Sequence, residues 1–226
     1  MNLNKEQVLV EQIQAVCDTL IQKYGEAISE SKQPALDTLI RAILSQNTTD
    51  VNMDRAFKSL KEKYSTWEAV LAAPEEELGA AIHSSGFYRL KAQRIQSSLA
   101  EINRRVGKLD LSLLEDMNLD ESMDWLTSLH GVGPKTAAIL LLFHYGKPAL
   151  PVDTHVWRVS KRLGILPENV NRVKAQTLLQ EFIPQECLYS FNHNLVKHGR
   201  EICRARKPQC VICFLQDNCA YYHSRT

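Results

Sequence analysis

The chain has 226 residues, 44% hydrophobic and 23% charged, which suits one large globular domain or two small ones and excludes a disordered or low-complexity chain. No run of 18 apolar residues could span a membrane, and the opening "MNLNKEQVLVEQIQ" carries acids inside its apolar pattern, unlike a signal peptide, so a cytoplasmic or nucleoid-associated location is expected. Net charge is only +1, but residues 1–150 hold 16 basic and 20 acidic side chains while residues 151–226 hold 11 and 6. Two stretches concentrate the cations, Arg89 to Lys108 and Lys197 to Lys207, and either could face phosphates. For any single cluster of this kind, a solvated surface is the commoner explanation.

Helical periods dominate, and no strand-like alternation of useful length occurs. Leu9, Ile13, Val16, Leu20 and Tyr24 predict a first helix, closed by Gly25 in a left-handed cap. Leu36 to Leu44 predict a second, and Met53 to Tyr64 a third with Asp50 near its start. Pro74 followed by three glutamates marks another helix start. Gly86 interrupts before a long amphipathic helix through Leu90, Ile95, Leu99 and Ile102 that ends at Gly107. Asp110 to Asp124 holds six acids and no base, which reads as a solvated loop and a helix start. Further helices are expected around 121–129, 135–145, 154–163, 170–182 and 189–202. The whole is all-α, with about ten short helices and no flexible interdomain linker.

One turn stands out. "HGVGPKTAAIL" from His130 joins two helices by a hairpin too short for anything but a tight turn. Gly131 and Gly133 can take positive φ and bare their backbone N–H groups, which at an electropositive helix start can grip a phosphate. Taken alone, a G-x-G turn is weak evidence. Lys135 is more telling: a cation at a helix N-terminus opposes the dipole, so structure alone rarely places it there. That field, with partial desolvation, favours the neutral amine, a nucleophile able to form a Schiff base. A lysine binding phosphate as a point charge is the alternative. In "LPVDTHVWRV", Asp153 occupies a natural N-cap position and could also stabilise positive charge developing on a sugar. His155 follows it.

Cys203, Cys210, Cys213 and Cys219 are spaced C-x6-C-x2-C-x5-C. Four cysteines within 17 residues, with no secretion signal, indicate a metal centre rather than disulfides. Zinc and an iron–sulfur cluster are about equally compatible with the spacing. Cys17 and Cys187 read as ordinary buried thiols.

Together, "LHGVGPKTA", "VDTH" with its aspartate 18 residues after the lysine, and the cysteine spacing resemble endonuclease III, a helix-hairpin-helix DNA glycosylase with a [4Fe–4S] cluster. "AILSQNTTD" at 42–50 is similar to the family's DNA-probing loop, and "SGFYRLKAQRI" at 85–95 to its second minor-groove segment. The resemblance implies a two-lobed all-α fold. A six-helix domain would occupy 28–147, and an iron–sulfur cluster domain would be built from 1–27 and 148–226, with Lys135 and Asp153 in the cleft. It favours [4Fe–4S] over zinc. It implies catalysis by Lys135 and Asp153, DNA contacts from Gln46, Asn47, Gly86, Gly131, Gly133, His155, Arg204, Arg206 and Lys207, and a monomer acting on double-stranded DNA with damaged bases or abasic sites. The implied reaction is removal of oxidised pyrimidines, then strand cleavage by β-elimination. The hairpin departs from the family in lacking proline before its first glycine. The probing loop departs too, with Gln46 and Asn47 where "SAQATD" is commoner. An adenine or mismatch glycosylase of the same superfamily is the nearest alternative, but the adenine enzyme's catalytic glutamate corresponds to Arg41 here. A non-catalytic DNA-binding iron–sulfur protein is the other.

Overall fold

The computed structural model describes residues 3–27 and 33–225, and every regular element among them is helical. In chain order these are α1 (Leu3–Tyr24), α2 (Ala35–Leu44), α3 (Asp50–Lys63), α4 (Trp67–Ala72), α5 (Glu75–Ala81), α6 (Tyr88–Val106), α7 (Leu113–Asp116), α8 (Leu119–Thr127), α9 (Pro134–Phe143), α10 (Thr154–Leu163), α11 (Arg172–Phe182), α12 (Leu188–Glu201) and α13 (Ala220–His223). Short 3₁₀ turns fall at His83–Ser85, Gln185–Cys187, Cys210–Ile212 and Gln216–Asn218. The helices too short for the periodicity to reveal, α4, α7 and α13, carry their signal in local chemistry instead. Thr66, for example, caps α4 by accepting from the Ala69 amide. Gly25 (φ +87°) ends α1 in the left-handed conformation expected of it, and α6 ends at Gly107 as expected, also left-handed (φ +77°).

The chain divides into two compact units, one of Met1–Glu30 with Pro148–Thr226, the other of Ser31–Lys147. The domain boundary expected at residue 28 lies outside the described residues. In the first unit, Ile13, Val16, Cys17 and Leu20 on α1 pack against α12, which buries Phe191 and Leu195. Helix α10 also lies on α12, with α11 and α13 alongside. Cys17 and Cys187 are both buried here as free thiols.

In the second unit, α2 buries Leu36, Leu39, Ile40, Ile43 and Leu44 and packs on α9, whose run "AAILLLF" is almost wholly enclosed. Helix α6 buries Ala92, Ile95, Leu99 and Ile102 and packs on α5, α2 and α4. The same helix face carries a cation. Lys91 is 1% exposed, and its Nζ donates to the carbonyls of Leu44 (2.8 Å) and Ser85 (2.7 Å). One is an orphan carbonyl at the end of α2, the other ends the 3₁₀ turn before α6. A single side chain thus ties down the two turns that lead into 45–49 and 86–87.

Most of the cations of 89–108 have partners within the protein. Lys91 is buried, Arg94 bonds Gln46, Arg104 and Arg105 both pair with Glu101, and Lys108 pairs with Asp110. Arg89 is exposed and lies against the Tyr88 ring.

Burial, with Arg94 nearby as the smaller cause, lowers the Lys91 pKa to about 8 from its ordinary 10.5. The folded state therefore gives up this proton before the unfolded chain does. Its contribution to stability is least favourable below pH 8 and improves as pH rises toward 10.5. A neutral amine still offers two N–H donors, enough for both carbonyls. Lys91→Met, which strands both carbonyls, should cost about 1–3 kcal/mol in urea unfolding at neutral pH. The gap between wild type and variant should widen from pH 8 to 10; a constant or narrowing gap would contradict the assignment.

Candidate active site

The hairpin connects α8 to α9 through Ser128–Gly133, and its two glycines do different work. Gly131 has φ +85°, and a Cβ there would lie 2.7 Å from the Cβ of Arg94 and against the rest of that side chain. The fold itself therefore demands glycine. Gly133 has φ −91° as the N-cap of α9, and a Cβ there would meet nothing within 4 Å. The expectation that both glycines serve positive φ holds only for Gly131. Gly133 faces open space at a helix start whose first amides have no side-chain cap.

Pro134 occupies the first helical position and Lys135 the second. Lys135 is exposed, so the desolvation expected around it does not come from this chain. Thr136, next along, is buried. Ser98 Oγ donates to the His130 carbonyl at 3.0 Å and pins the hairpin from α6.

Two further turns belong to the same unit. After α2, the side chain of Gln46 is turned into the protein, while Asn47 is exposed with φ +53°. Before α6, Gly86 is exposed with φ +68°, and Phe87 follows with φ +47° and 66% of its surface exposed. An exposed aromatic held in the left-handed region is a costly arrangement, of order 1–3 kcal/mol. Sequence reasoning named Gly86 and passed over Phe87. The available signal was an aromatic directly after a glycine between two helices. Arg41, which stands where an adenine glycosylase would carry glutamate, is ion-paired with Asp54 and lies over the Phe57 ring.

In the other unit, Asp153 is the N-cap of α10. Both cap bonds, from the amides of His155 and Val156, fall on Oδ1 at 2.8 Å, and Oδ2 takes neither. His155 is half-buried, its Nδ1 3.2 Å from Nη2 of Arg158. That guanidinium also donates to the Gly199 and Cys203 carbonyls, linking the start of α10 to the first cysteine.

Cys203, Cys210, Cys213 and Cys219 are free thiols lining one pocket, together with Ile202, Pro208 and Tyr222. Burial first, and then the neighbouring sulfurs, push the Cys213 thiol up to about 11, against the Leu215 amide, which lowers it. Cys219 is raised for the same main reason, against the amides of Tyr222 and Tyr221. Arg162 donates to Cys203 Sγ at 3.3 Å. Thiols ringed by N–H donors suit thiolate ligands once a metal supplies the positive charge. Among the described residues no three His, Cys, Asp or Glu side chains gather as one ion requires. The sulfurs surround a space instead, which fits a polynuclear iron–sulfur cluster better than a single zinc. The loop between the first two cysteines exposes Arg204, Arg206 and Lys207, the last with φ +52°.

Comparison with known proteins matches this geometry. Residues 40–185 match the model of the HhH-GPD superfamily of base excision DNA repair proteins, and residues 203–219 match the iron–sulfur binding domain of endonuclease III. Endonuclease III of Thermotoga maritima is 38% identical over 83% of this chain and 83% of its own length. A solved non-covalent endonuclease III–DNA complex is 33% identical, with a TM-score of 0.82 over 96% of this chain and 97% of that one. A trapped endonuclease III–DNA covalent intermediate aligns with the same identity and score over 96% and 98%. The chain belongs to the HhH-GPD superfamily of base excision DNA repair proteins and, within it, to the endonuclease III family. It is a DNA glycosylase and abasic-site lyase with an iron–sulfur binding domain.

The contrast between the glycines is directly measurable. Gly131→Ala should lower stability by about 2 kcal/mol or more, through strain and overpacking on Arg94. Gly133→Ala should change it by less than about 0.5 kcal/mol. Equal thermal shifts for the two would refute the division of labour.

Proposed function

We propose that the enzyme removes oxidised pyrimidines from duplex DNA with Lys135 as nucleophile, and that it then cleaves the strand on the 3′ side of the lesion. The carrying observation is the exposed Lys135 in the first turn of α9, directly after a hairpin whose Gly133 faces open space. A covalent intermediate with DNA has been trapped for the 33%-identical relative, which supports an amine nucleophile here.

The damaged nucleotide must leave the stack, because its sugar C1′ is otherwise unreachable. Amides of the hairpin hold the phosphate backbone through the N-terminus of α9. Asn47 fills the vacated position, and Phe87 acts as an apolar wedge between base steps. The strained backbone at both residues suits side chains held out for this purpose. Duplex DNA covering Lys135 excludes water from the exposed amine as it meets C1′. The Lys135 Nζ attacks C1′, the bond from C1′ to the base breaks, and the base leaves with a proton. The C1′–O4′ bond then opens, O4′ taking up a proton as the nitrogen lone pair forms the Schiff base; the Schiff base acidifies C2′–H, and loss of that proton expels the 3′ phosphate.

Asp153 is proposed to help deprotonate Lys135 and to stabilise the cationic sugar, with Oδ2 available while Oδ1 caps α10. Arg204, Arg206 and Lys207 contribute phosphate contacts that carry no sequence information, and His155 adds a polar contact at the start of α10. A bound [4Fe–4S] cluster, held by the four cysteines, would shape that loop and leave the sugar chemistry to Lys135. The enzyme is proposed to act as a monomer.

Borohydride reduction on duplexes carrying a panel of damaged bases tests chemistry and substrate together. Wild type should be trapped covalently on thymine glycol and on abasic DNA. Lys135→Gln should bind without trapping. Asp153→Asn keeps the cap oxygen, so it should fold and bind normally yet lose on the order of a hundredfold in rate. Near-normal rates in Asp153→Asn would reduce that residue to a helix cap, and trapping in Lys135→Gln would overturn the nucleophile.

A further inference from the structure

Gln46 precedes Asn47 in the probing loop, yet its amide is committed within the protein. Nε2 donates to the Gly131 carbonyl at 3.1 Å and to Thr136 Oγ1 at 3.2 Å, and Oε1 accepts from Arg94 Nη1 at 2.6 Å. Three DNA-facing pieces meet on this one side chain: the loop after α2, the hairpin turn, and the first turn of α9, where Thr136 adjoins Lys135. Arg94 reaches the junction because Gly131 has no Cβ to bar its path. Its Nε is buried with no hydrogen-bond partner among the described residues, so the bond to Gln46 is a principal restraint on the guanidinium.

We propose that Gln46, held by Arg94, is a positioning residue that locks the gap-filling loop in register with the helix turn presenting Lys135. Insertion of Asn47 and presentation of the amine then occur as one geometric event, and Gln46 itself makes no DNA contact. The bond inventory favours this role. An amide using both its donor and its acceptor on the protein is poorly placed to read a base edge, and exchanging those bonds for DNA would strand Arg94. The proposal rests on the reading of Lys135 as nucleophile and Asn47 as gap filler.

The test uses the full-length protein and duplexes carrying either a natural abasic site or its uncleavable tetrahydrofuran analogue. Gln46→Ala and Arg94→Met should keep the Kd for the analogue within about threefold. Single-turnover trapping at saturating enzyme should slow by on the order of tenfold to a hundredfold, the loss expected from a misplaced reacting group. Because the two residues act as one unit, the double variant should be no slower than the worse single one. If Arg94→Met fails to fold, Arg94→Lys replaces it in the cycle. An unchanged trapping rate in Gln46→Ala, or rate losses that multiply in the double variant, would overturn the proposal. So would uniformly weakened binding with intact rate, which would make Gln46 a DNA contact. Failure of the underlying reading shows elsewhere, as trapping that survives in Lys135→Gln.

Discussion

Helix α6 places two cations one turn apart on a face that points inward, and the working surface of its unit hangs from them. Lys91 holds the carbonyls of Leu44 and Ser85, and Arg94 holds Gln46 and runs beneath Gly131. A buried ammonium with no carboxylate partner among the described residues is expensive, and the molecule meets that cost with two short bonds to otherwise stranded carbonyls. Without them, the turns bearing Asn47 and Phe87 would have loose ends and two left-handed non-glycine residues to sustain. Strain of that kind persists only where the surroundings over-determine it.

The proposed chemistry uses helix starts in two opposite senses. Asp153 sits where the dipole welcomes a negative charge, and it caps α10 through one oxygen. Lys135 sits at a helix start, where the dipole opposes a positive charge, and it is exposed. A carboxylate and an amine at helix starts are complementary groups for a reaction in which a nitrogen nucleophile attacks and a cationic sugar develops. The cysteine loop adds a different economy. Its thiols are half-buried, line one pocket and face N–H donors, a state that bound iron would relieve.

Much of this was legible in the residues because it rests on local signals. Leu36 to Leu44 and Leu90 to Ile102 announce their helices by apolar period, Gly25 and Gly107 announce their ends, and the cysteine spacing announces a metal centre. What stayed hidden depends on partners distant in sequence. Lys91 and Arg94 look like solvated members of a basic run, since nothing nearby shows that carbonyls and an amide from residues 44–85 will claim them. Gly131 and Gly133 look alike until Arg94 is seen to pass under one and not the other. Gln46 and Asn47 look like a pair of probing residues, yet one turns inward and the other outward. Phe87 was overshadowed by the glycine before it.

The most direct test of the central claim is peptide mapping of the borohydride-reduced enzyme–DNA adduct by mass spectrometry after nuclease and protease digestion. The account predicts a single modified peptide, with the sugar remnant on the side-chain nitrogen of Lys135. A remnant on any other amine, or no covalent remnant from a reaction that nonetheless cleaves DNA, would contradict it.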